Sequence, residues 1–160
     1  MAITPAKSSQ YTMQDGTHAT ILRAPSSDVG SKLRASYGKL TFTAAGTGTA
    51  KMLRLPPGKV RVHTDLCRVV CPVGTATADL HVGYAAYTGG DGVAVVADDN
   101  AFADNVDVGG GAIDAAFSLP AGGFLEFDSL DGVDIEVMID TANSPAAGDL
   151  VVSVVYQMGN

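Results

Sequence analysis

The sequence predicts an all-β protein, a jelly-roll or β-sandwich of about eight to ten antiparallel strands with an N-terminal arm. Three observations carry that expectation. Gly fills 19 of 160 positions, above the usual share of roughly 7%, and it recurs with Asp and Pro as turn signals every roughly 8–12 residues. Between these turns, apolar and polar residues alternate with period two, the signature of a half-buried strand. Val, Ala, Thr and Asp are plentiful, while Glu, Lys and Gln are scarce, a balance that favours strands over helices. The length suits a single domain with a sizeable core.

Residues 1–10 are polar with one Pro and read as a loose or partner-ordered arm. Tyr11–Gln14 and Thr17–Leu22 flank Asp15-Gly16, a two-residue hairpin signal. After a loop at 24–31 comes Lys32–Thr43, with Leu40 and Phe42 on one side and Lys39, Thr41 and Thr43 on the other. Gly46 and Gly48 break the chain before Lys51–Leu55, and Pro56-Pro57-Gly58 forms a turn. Residues 1–49 are therefore expected to be an arm and hairpin, and residues 50–160 the sandwich core, within one folded domain.

Val60–Cys71 reads as one long strand, with Val60, Val62, Leu66 and Val70 inward and Arg61, His63, Asp65 and Cys67 outward. In Ala76–Tyr87 the inward set is Ala78, Leu80, Val82, Tyr84 and Ala86, with Asp79 and His81 outside. Gly89–Gly92 turns into Val93–Ala97. Asp98–Asn105 opens with acids and suits one helical turn, because carboxylates favour the positive end of a helix. Ile113–Leu119 and Phe124–Asp128 follow, and Val133, Ile135, Val137 and Ile139 mark a clear strand. Leu150–Tyr156 is apolar on both faces apart from Ser153, as expected of a central strand or one covered by a subunit.

Charge divides the chain. Residues 1–68 hold all ten Lys and Arg against three acids; residues 69–160 hold fourteen acids and no Lys or Arg. Independent placement gives such a one-sided set of cations with odds on the order of 10⁻⁴. Lys7, Arg23, Lys32, Arg34, Lys39, Lys51 and Arg54 are thus expected to meet an acidic surface, either a neighbouring subunit's C-terminal half or a separate assembly. The net charge of −7 disfavours nucleic acid as a direct partner. Trp is absent and aromatics are few, which disfavours stacking on bases or sugars. No apolar run reaches the roughly 18 residues of a membrane span, and no secretory leader is recognisable, so a soluble, cytoplasmically made chain is expected.

Candidate chemistry is sparse. Cys67 and Cys71, four apart in one strand, lie about 13 Å apart, too far for a disulfide, and are expected as two reduced thiols. His18, His63 and His81 fall on separate elements; His63 and His81 are possible cross-strand neighbours on an outer face, without a third metal ligand. Asp98, Asp99, Asn100, Asp104 and Asp107 offer oxygens suited to calcium but lack EF-hand spacing, so Asp98, Asp99, Asp104 and Asp107 read as an acidic surface or inter-subunit rim. No nucleophile elbow, phosphate loop or triad is present. Neither a catalytic residue, a cofactor nor a metal is expected.

LPPGKVRVHTDLCRVV (55–70), DLHVGYAAYTGGDGVAVVADDNAFADNVDV (79–108) and DGVDIEVMIDTANSPAAGDLVVSVVYQ (131–157) resemble small decoration (cement) proteins of tailed bacteriophages. The resemblance covers roughly residues 50–157 and rests on an order of features rather than one motif. It implies a jelly-roll virion protein, often a homotrimer, that binds the outer surface of the icosahedral head and stabilises it. The partner would be the major capsid protein, met through the basic residues named above, after assembly in the host cytoplasm. A collar, turret or tail-associated β-sandwich is the alternative, and a carbohydrate-binding module the remote one.

Overall fold

The computed structural model describes residues 6–7, 33–119 and 123–159. In chain order the first strands are β1 (Ala6–Lys7), β2 (Leu33–Phe42), β3 (Gly48–Leu55), β4 (Gly58–His63), β5 (Arg68–Cys71) and β6 (Asp79–Tyr84). The short pair β7 (Tyr87–Thr88) and β8 (Ala94–Val95) comes next, followed by β9 (Asp98–Asp107), β10 (Ile113–Ala116) and β11 (Phe124–Ser129). The last two are β12 (Val133–Asp140) and β13 (Gly148–Met158).

The strands form an antiparallel β-sandwich, as the period-two pattern and turn spacing predicted. One sheet runs β1-β3-β12-β6-β9, and among the described residues its one parallel contact is β1 on β3. In the other, β13 lies between β2 on one side and β4 with β5 in line on the other; β11 flanks β4 and β10 flanks β5. β7 and β8 make a separate hairpin. The core between the sheets is filled by Val133, Ile135, Val137 and Ile139 of β12, Leu80 and Val82 of β6, and Leu150, Val152 and Val154 of β13. Phe102, Phe117 and Phe127 add aromatic mass across the layer, with ring centroids 5.2 Å apart for the first pair.

The strand expected over Val60–Cys71 is broken in the middle. Thr64–Leu66 forms a 3-10 turn, tied by Cys67 N–H to Thr64 C=O at 3.0 Å and by Thr64 N–H to Gly123 C=O at 3.0 Å. Val62 pairs with Tyr156 and Arg68 with Ser153, so residues 63–67 stand opposite only residues 154 and 155. The excess is an odd number of residues, which exchanges the two faces beyond the turn. Hence Cys67, Val69 and Cys71 are buried while Leu66 and Val70 are exposed, the reverse of the expected assignment.

Asp98–Asn105 is not a helical turn; it is the first part of strand β9, which pairs antiparallel with β6 through two register shifts. His63 and His81 are not cross-strand neighbours, since β4 and β6 belong to different sheets. His81, expected outside, is only 7% exposed, and Ala86, expected inside, is exposed. The line drawn between residues 49 and 50 falls inside β3. β2, upstream of that line, pairs with β13 along its whole length. The Tyr11–Leu22 hairpin lies outside the described residues.

Gly38 and Gly58 are among the glycines that geometry demands. Gly38 of β2 sits where a Cβ would overlap the Met52 carbonyl of β3, so the edges of the two sheets close on each other there. Gly58 has φ +92° at the end of the Pro56-Pro57 turn, a conformation other residues resist. Of the two thiols, Cys67 sits in the register gap. Its Sγ accepts the Val155 N–H at 3.2 Å, replacing a ladder bond the break removes. Both cysteines are free. Burial pushes Cys67 up to about 11, against the Val155 N–H and with the Asp65 charge, and pushes Cys71 up to about 12.

Candidate interaction surfaces

The charge division along the chain is answered inside the fold. Basic strands from the first half pair with acidic strands from the second: β2 with β13, β3 with β12, β4 with β11, β5 with β10. Lys39 meets Asp149 at 2.8 Å, Lys51 meets Asp134 at 2.9 Å and Glu136 at 3.8 Å, and Arg54 holds Asp134 at 2.6 Å. Arg61 grips Glu126, and Arg68 meets Asp114 at 2.7 Å. An acidic partner surface was expected for Lys39, Lys51 and Arg54, and each of these meets an acid of its own chain.

Of the candidate contact residues, Lys39, Lys51 and Arg54 are therefore engaged by acids of their own chain. Arg34 projects from the side of β2 that carries Leu40 and Phe42, opposite Tyr156. Lys7 lies in β1, and Arg23 and Lys32 lie outside the described residues.

On the outer face of the first sheet the polar side chains are tightly knit. Asp134 is only 7% exposed and takes both Arg54 and Lys51. A buried carboxylate is tolerated because both oxygens are matched by cations. Beside it, burial raises Glu136, with Lys51 pulling it down and Asp134 pushing it up. One strand further on, the His81 ring lies between two carboxylates, Nδ1 3.0 Å from Asp104 and Nε2 3.2 Å from Asp140. The Asn105 N–H also points at Nδ1, at 3.4 Å.

The four acids expected as a surface or inter-subunit rim lie exposed along β9. Asp98 and Asp99 are exposed at the start of β9, Asp104 turns to His81, and Asp107 accepts the N–H groups of Gly109 and Gly110 at 2.8 and 3.0 Å. Spread along an edge strand, they discourage pairing with a foreign strand. Among the described residues, no group of three or more His, Cys, Asp or Glu side chains is placed to hold a metal ion.

The outer face of the second sheet is of another kind. By register, Leu33, Ala35, Tyr37 and Lys39 of β2 share it with Val151 and Ser153 of β13, Arg68 and Val70 of β5, and Phe124 of β11. Leu33 is 57% exposed, Tyr37 56% and Val70 38%. Sequence reasoning registered the two-sided apolarity of β13 but missed the neighbours that widen it into a patch. Their alignment depends on pairings between residues more than 80 positions apart. Along this face Thr41 and Lys39 both donate to Asp149, and these bonds hold its carboxyl below the usual aspartate value. A groove of about 410 Å³ runs along one end, lined by Lys59, Arg61, Glu126, Asp128 and Gln157.

The class these features define is an antiparallel β-sandwich with a charged and a mixed apolar outer face. No protein-family model and no curated protein matches the sequence. Solved structures do share the fold. A chain in the capsid of Ralstonia phage GP4 matches with a TM-score of 0.63 and 15% identity, over 98% of this chain and 99% of its own. A chain of the cyanophage Pam1 capsid asymmetric unit matches with a TM-score of 0.53 and 20% identity, over 88% of this chain and 95% of its own. At such identities the similarity is one of fold.

Proposed function

We propose that this chain is a structural protein of a tailed-phage virion. In this reading it binds the outer surface of the icosahedral head as a homotrimer and cements it. The observation that carries the proposal is the end-to-end match in fold to a chain of the Ralstonia phage GP4 capsid. The stretches at 55–70, 79–108 and 131–157 that resemble decoration proteins support it. The role is passive: the chain clamps major capsid protein subunits together by burying surface and performs no chemistry. Head contact is assigned to Lys7, Arg23 and Lys32, because Lys39, Lys51 and Arg54 already hold acids of their own chain.

Quantitative mass spectrometry of separated heads and tails tests the placement. The expected result is a copy number in heads that is a fixed fraction of the major capsid protein. Recovery with tails or collars sinks the decoration role and favours the alternative virion position. Reversing Lys7, Arg23 and Lys32 to Glu should lower head occupancy, most visibly at low salt, where charge contacts are least screened. Unchanged occupancy removes those residues from the contact.

A further inference from the structure

We infer that the outer face of the second sheet, centred on β13, is where a second copy of this chain docks. Three observations select the face and its occupant. Apolar side chains are spread across the face: Leu33, Ala35, Tyr37, Val151, Val70 and Phe124 share it, with Arg61 over the Phe124 ring, and three of them are more than 40% exposed. Exposed apolar side chains gathered on one rigid sheet mark an interaction site rather than ordinary surface.

The second observation is charge. The chain carries −7, so two copies repel wherever that excess sits. It does not sit here. The ion pairs on this face are Lys39 with Asp149, Arg61 with Glu126 and Arg68 with Asp114, and Lys59 stands opposite Asp128 by register, so its charges balance. The surplus acids lie on the other sheet, Asp79 on β6, Asp98, Asp99 and Asp107 on β9 and Asp140 on β12, and on the hairpin at Asp91. Of the two outer faces, this one lets like-charged copies approach without net repulsion.

The third observation is size. Strands of ten and eleven residues at about 3.3 Å per residue, set four abreast at about 4.8 Å, give a plan area of roughly 600 Å². Corrugation by side chains brings this close to the roughly 800 Å² each partner contributes to a standard interface. The contact is driven by apolar burial, because the ions on the face are already satisfied within one copy.

This inference deepens the self-association in the proposed function and stands apart from head binding. Sedimentation of the full chain up to roughly 100 μM tests it, alongside Tyr37→Asp and Val70→Lys. Each variant puts an unmatched charge on the face and is expected to weaken association about tenfold or more. The urea midpoint of each variant should match wild type, since both side chains are exposed. Association within twofold of wild type in both variants overturns the face, while leaving a homotrimer intact. A dimer that the same variants dissociate supports the face and overturns the trimer. A wild-type chain that is monomeric throughout overturns the face and leaves head binding to be judged by the occupancy experiment. Raising salt should leave association unchanged or tighten it; marked weakening by salt overturns the apolar driving force.

Discussion

The two outer faces of the sandwich use charge in opposite ways. On the first sheet, cations and acids from strands distant in sequence are drawn into a half-buried cluster, with Asp134 under Lys51 and Arg54 and His81 between Asp104 and Asp140. On the second, the ion pairs are well exposed and stand around apolar side chains. The same residue types therefore stabilise the fold on one face and only adjust solubility on the other. The cause is depth: a pair shielded from water is costly to break, whereas an exposed pair is replaced by hydration.

Substitutions on the two faces should separate accordingly. Asp134→Ala removes the carboxylate that Lys51 and Arg54 share on the first face and should cost about 3 kcal/mol in urea unfolding. A loss no larger than for an exposed pair would erase the contrast. His81→Ala removes the ring held between Asp104 and Asp140 and opens a small cavity, for an expected loss of about 2 kcal/mol. On the second face, Asp114→Ala should cost less than about 1 kcal/mol, and less again in high salt.

The smallest effects are pH-dependent and opposite in sign. The lowered carboxyl of Asp149 favours the fold at pH above its ordinary 3.8, and that contribution is lost as pH falls through the lower folded value. Asp149→Asn should therefore be slightly destabilising at neutral pH and indistinguishable from wild type in strong acid. The raised carboxyl of Glu136 works the other way: its ionised form opposes folding once pH climbs past its ordinary 4.5 towards the raised value. Glu136→Gln should be level with or slightly above wild type in stability at neutral pH, with the difference closing as pH drops below that window. Urea titrations at several pH values read both, and parallel profiles for the two variants would contradict the assigned environments.

Much of the fold was legible in the sequence because its strands advertise themselves locally. β12 alternates cleanly, β13 stands out as an apolar run after a turn, and the sandwich follows from the number and spacing of such strands. The break at Thr64–Leu66 was not legible. Nothing in the alternation of Val60, Val62, Leu66 and Val70 reveals that extra residues bulge out, and their effect is to exchange inside for outside. β9 misled for a related reason, since a run of acids is equally natural at a helix start and on a guarded edge strand. The uneven distribution of charge was visible, but its meaning was not. Lys51 and Asp134 are 83 residues apart, and only the strand order shows that the basic half of the chain lies against its acidic half.

Cys67 and Cys71 have a consequence for measurement. With pKa values near 11 and 12 and complete burial, neither thiol reacts with a labelling reagent while β5 stays paired. Each modification therefore records one opening of the β5 edge of β13. Labelling rates, followed against denaturant, convert the two native cysteines into a clock for local breathing of the sheet, and no engineered probe is needed.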